Sequence, residues 1–71
     1  MSYIEKEVFR YALTLSRSLT PQDVCDVLDV EKQKARHILK NMLEQDLIQT
    51  TGKGTERIRT YRLTPAVLQN L

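Results

Sequence analysis

Seventy-one residues, 41% apolar and 28% charged, suffice for one small core and no second domain, and they are too apolar for a disordered chain. The formal net charge of +2 hides a segregation: residues 1–31 carry three bases against six acids, a net of −3, whereas 32–62 carry eight against three, a net of +5. The lone Cys25 excludes an intrachain disulfide and a cysteine-type zinc site, and no apolar run has the length of a signal peptide or membrane span, so the cytoplasm is the expected compartment.

A first helix is expected from Ser2 to Ser18. Ser2 and Glu5 stand in capping-box spacing, and Ile4, Val8, Tyr11 or Ala12, Leu15 and Leu19 recur at helical intervals, with Phe9 widening the stripe. Tyr3, Phe9 and Tyr11 read as core and boundary packing. Thr20-Pro21 then restarts the chain as an N-cap and first helical residue, with Asp23 facing the positive end of the dipole. This second helix, Pro21 to about Leu28, turns Val24, Val27 and Leu28 inward. Its acids Asp23, Asp26 and Asp29 make it a poor partner for a polyanion. Asp29-Val30 forms a tight turn, with Asp29 suited to a left-handed conformation and Val30 buried. Cys25 reads as a small core residue.

The stretch from Glu31 to Asp46 is the most informative. At 100° per residue, Ala35, Ile38, Leu39 and Met42 share one apolar stripe with Leu43 at its margin. Gln33, Arg36, His37 and Lys40 fall opposite, flanked by Lys34 and Asn41. A merely solvated face mixes signs to gain i,i+4 pairs, yet no acid occurs between Lys32 and Asn41. One side is built for burial and the other for a polyanion.

After Asp46 the period changes. Leu47 to Thr51 reads as a strand, Gly52-Lys53-Gly54 as a turn, and Glu56 to Thr64 as a second strand, with Tyr61 and Leu63 inward and Thr60, Arg62 and Thr64 outward. Ile58 is out of phase with Tyr61, which suggests a bulge or a frayed tip near it. Lys53, Arg57 and Arg59 crowd towards the hairpin tip. Thr64-Pro65 again reads as a cap and first turn, opening a short closing helix to Leu71.

Helix, short helix, tight turn, basic helix and β-ribbon in this order resemble the winged helix-turn-helix superfamily over nearly the whole chain. The match is carried by Val24-Cys25-Asp26-Val27-Leu28-Asp29-Val30, then Ala35, Ile38-Leu39, Met42 and Asp46-Leu47-Ile48. Asp29 stands where such proteins often place Gly, and Glu31 where they often place a Ser or Thr cap. In size the chain looks like the very small bacterial, phage or plasmid regulators, including those of fimbrial operons. The expected class is therefore α+β and mostly helical: one domain, 1–71, of three helices plus a two-stranded wing and a short C-terminal helix.

What the resemblance implies is binding of double-stranded DNA, with the third helix in the major groove and the wing on the backbone or minor groove. Residue chemistry agrees. Arg36 and Gln33 are the base-reading candidates, since Arg pairs bidentately with guanine and Gln with adenine. His37 and Asn41 suit a further base-edge or phosphate bond. Lys32, Lys34 and Lys40 suit phosphates, as do Lys53, Arg57 and Arg59 in the wing, or an arginine inserted in a narrow minor groove. A single wing and helix cover a half-site, so a homodimer or a larger DNA-binding partner protein is expected, with contacts sought on the first helix and 65–71. No cofactor, metal or small-molecule ligand is expected, and the chain lacks the paired catalytic groups of an enzyme. The competing reading is a winged-helix protein-interaction module or RNA binder.

Overall fold

The computed structural model describes residues 1–52 and 59–69. Its elements follow in the order α1 (Tyr3–Thr14), α2 (Pro21–Leu28), α3 (Lys32–Glu44), β1 (Ile48–Thr50), β2 (Tyr61–Leu63) and α4 (Pro65–Gln69). This is a winged helix: three helices, an antiparallel strand pair and a short closing helix.

Each boundary has a local cause. Ser2 Oγ accepts the Glu5 N–H at 3.2 Å and the Glu5 carboxylate accepts the Ser2 N–H at 2.9 Å, a complete capping box on α1. Thr20 and Asp23 repeat it on α2, with Pro21 as the first helical residue. Asp29 ends α2 in the left-handed region at φ 55°, and the Val30 N–H returns to the Cys25 carbonyl at 3.2 Å. Asp46, φ 59°, does the same after α3. There the Leu47 N–H reaches the Met42 carbonyl and the Asp46 N–H the Leu43 carbonyl, both at 3.0 Å, a Schellman closure with aspartate in glycine's usual place.

The core gathers Val8, Leu19, Val24, Ala35, Ile38, Leu39, Met42, Ile48 and Tyr61. Four of these are the apolar stripe of α3, so this helix is the floor on which α2 and β1 rest. Leu28, Val30, Leu43, Leu47 and Leu63 pack around its edge, as does Cys25, which is half-buried rather than fully enclosed.

Several expectations are corrected. α1 stops at Thr14 instead of Ser18, because Leu15 turns extended (φ −81°, ψ 138°). The apparent helical spacing of Leu15 and Leu19 is therefore coincidental. Leu19 reaches the core as a β-bridge: its N–H and carbonyl both pair with Tyr61 at 2.8 Å, adding a third short edge to the sheet. Tyr3 and Ile4 are exposed, not packed. On α1 the buried residues are Glu5, Val8 and Phe9; Tyr3 projects from the opposite side and Ile4 from its margin. The third helix is shorter than Glu31 to Asp46, since Glu31 is its N-cap and Asp46 lies beyond its C-cap.

In the sheet, Ile48 faces Leu63, Gln49 faces Arg62 and Thr50 faces Tyr61. One further pair follows, the Thr51 N–H donating to the Thr60 carbonyl at 3.0 Å. Thr64, expected in solvent, is buried at 2% exposure. Its hydroxyl donates to the Asp46 carbonyl at 2.8 Å and accepts the Val67 N–H at 3.4 Å, so it ties the end of the wing to the end of α3 while capping α4. The bulge or frayed tip expected near Ile58 and the start of the strand expected from Glu56 fall outside the described residues, as do the last two residues of the expected closing helix.

Candidate nucleic-acid interface

The two faces of α3 are as unlike in space as in sequence. Ala35, Leu39 and Met42 are wholly buried and Ile38 nearly so, while Lys32, Gln33, Lys34, Arg36, His37 and Lys40 are all exposed. Asn41 sits half-buried at the margin; its Nδ2 lies 3.5 Å from the His37 Nε2. Burial of the apolar stripe dictates this orientation: the helix cannot rotate without taking methylenes out of the core.

The cations on this face are unspent. Among the described residues ion pairs form only at Arg10–Glu7 and Arg17–Asp23, both away from α3, so Lys32, Lys34, Arg36 and Lys40 have no carboxylate partner. The start of the helix differs from its neighbours in the same sense. α1 and α2 each hold a carboxylate in a capping box, whereas α3 has no acid in its first turn and Glu31 makes no side-chain cap bond. The first turn of α3 therefore presents N–H groups with no side-chain cap beside Lys32 and Lys34.

Two acids of the chain, Asp23 and Glu5, are buried and held away from this face. Asp23 is buried and takes both guanidinium nitrogens of Arg17 at 2.7 Å, besides the Thr20 N–H at 2.8 Å and hydroxyl at 3.0 Å. The Arg17 bonds outweigh burial and hold its carboxyl down at about 2. Glu5, also buried, is held below the usual carboxylate range chiefly by the Ser2 N–H.

In the wing, Arg59 is exposed beside the last described pair of the ladder. Lys53 and Arg57, expected at the tip, lie outside the described residues. Two polar groups were not singled out from sequence. Arg62 donates from Nε to the Gln49 Oε1 at 2.7 Å across the strand pair, on the face opposite Tyr61. Gln45, at the end of α3, donates to the Asn41 carbonyl at 3.2 Å and to a Glu5 carboxylate oxygen. Strand alternation could have flagged Arg62; nothing local could have flagged Gln45. No described helix is long and apolar enough to cross a membrane.

The chain matches the family model described as "Winged helix DNA-binding domain" over residues 13–66. No curated protein is significantly similar to it in sequence. Its fold is similar to that of a solved structure, a point mutant of MepR from a multidrug-resistant S. aureus clinical isolate, with a TM-score of 0.73 at 16% identity. That likeness covers 94% of this chain and 49% of the other, so the chain spans about half the length of this neighbour. The match takes in the turn between α2 and α3, the whole of α3 and the wing strands. The chain belongs to the winged helix DNA-binding domain family.

Proposed function

We propose that this protein is a sequence-specific reader of duplex DNA that regulates transcription, with α3 in the major groove and the wing on the flanking backbone or minor groove. One observation carries the reading: a row of unpaired cations on a helix whose other side is locked into the core. From Gln33 to Lys40 the helix rises about 10 Å, which matches about three base-pair steps. Gln33 and Arg36, on its outer side, have the donors for adenine and guanine edges, and His37 and Asn41 flank them. Lys32, Lys34 and Lys40 suit phosphates, and Lys53, Arg57 and Arg59 extend the same contact along the wing. The protein acts by binding rather than catalysis and needs no cofactor.

One α3 and one wing cover a half-site, so the working form is a homodimer or a complex with a larger DNA-binding protein. The groove where the end of α1 meets α4 supports this, since Leu13 and Leu68 line it and are 46% and 44% exposed. Selection of bound duplexes from a random pool, followed by salt titration of the winner, tests the proposal. A consensus with a steep loss of affinity in added salt is expected; an unselected pool, or binding indifferent to salt, overturns it.

A further inference from the structure

Among the described residues, α1 and α3 are joined by one side-chain hydrogen bond, from the Gln45 Nε2 to a Glu5 carboxylate oxygen, across 40 positions of sequence. Each partner has a second bond that orients it. The other Glu5 oxygen accepts the Ser2 N–H at 2.9 Å, and the same Gln45 nitrogen donates to the Asn41 carbonyl at 3.2 Å, in the last turns of α3. Asn41 in turn meets His37 on the exposed face. Glu5 is 8% exposed, and its ionised carboxylate gives Gln45, itself exposed, a charge-assisted acceptor.

From this geometry we infer that Glu5 is a positioning residue for DNA binding: with Gln45 it clamps the C-terminal end of α3 and sets the angle at which that helix enters the groove. α3 is otherwise held by apolar packing and, just past its end, by the Thr64 hydroxyl on the Asp46 carbonyl on the wing side; apolar packing resists rotation better than it resists tilt, because side chains slide along a groove at small cost. A charged hydrogen bond beyond the last turn removes that freedom at the point where leverage on the tilt is greatest. The inference rests on the DNA reading above and adds residues that touch no DNA.

The test compares affinity for the selected duplex in four variants, each checked by circular dichroism to be folded at the assay temperature. Glu5→Ala and Gln45→Ala are each expected to weaken binding about tenfold, and the double variant no more than either alone, as for two ends of one link. Gln45 is exposed, so its variant folds even if Glu5→Ala does not. Ser2→Ala loosens the same helix cap without touching Gln45; it is expected to lower the melting temperature and leave affinity unchanged. The slope of affinity against salt stays that of the parent, since no cation is lost. Additive losses, an equal loss in Ser2→Ala, or unchanged affinity in Gln45→Ala would each overturn the clamp. Absence of duplex binding by the parent protein would instead refute the function proposed above.

Discussion

Two aspartates carry backbone strain in the turns that bracket α3. Asp29, the C-cap of α2, and Asp46, just past the C-cap of α3, hold φ of 55° and 59°, a region costly to residues with a Cβ. Asp tolerates it better than most, and glycine better still. Asp46→Gly is expected to raise stability by up to about 1 kcal/mol and Asp46→Ala to lower it by a similar amount, read as opposite shifts of the urea midpoint with unchanged slope. Asp23 makes a different residue-scale contribution. Its folded value of about 2 lies below the ordinary 3.8, so its carboxylate stabilises the fold above pH 3.8, and that stabilisation is lost as pH falls towards 2. With Arg17 half exposed the amount is discounted to about 1–2 kcal/mol. Asp23→Asn should melt several degrees lower at pH 6 and show a shallower decline than the parent between pH 4 and 2, the remainder coming from Glu5, which thermal scans across that window measure.

At the scale of an element, α3 divides stability from binding along its length. Leu39 is fully buried, so Leu39→Ala is expected to cost about 2–5 kcal/mol, enough to unfold much of so small a domain. One residue on, Lys40 is exposed and unpaired, so Lys40→Ala should leave stability within about 0.5 kcal/mol of the parent. It should instead lower the salt slope of duplex binding by about one. Arg36→Ala or Gln33→Ala is expected to cost roughly 1–3 kcal/mol at the selected site and to relax one base position, seen by repeating the selection with the variant. A uniform loss over all sequences would move either residue to the phosphate class.

For the whole molecule, Tyr61 is the hub. It is 7% exposed, bridges to Leu19 on one side and faces Thr50 on the other, so it joins the segment after α1 to the wing that flanks α3. The wing thereby takes its bearing from the helical body rather than from its own two short strands, which alone would be marginal. Assembly belongs to this scale too. If the groove between α1 and α4 seats a second copy, sedimentation of the complex should find two chains per selected site. Leu13→Glu with Leu68→Glu should leave one chain, with weaker binding. The half-sites should then lie about one helical turn apart.

Much of this was legible in the chain because it is encoded within a few residues. Ser2 with Glu5, Thr20 with Asp23, and the 100° spacing of Ala35, Ile38, Leu39 and Met42 are short-range signals, and helix starts and buried faces follow from them. The charge segregation likewise marked α3 as the face turned outward. What local pattern could not supply was pairing across the chain. Leu15 and Leu19 satisfy a helical period equally well in a helix that never forms there, because an extended segment gains the backbone bonds of Tyr61 instead. The burial of Thr64, and the link from Glu5 to Gln45, also arise only when distant segments meet. Sequence by itself determined which surfaces are apolar and which are cationic, since that is a property of each element alone. Tertiary structure decided how the elements are braced against one another, because those bonds join groups that no local rule relates.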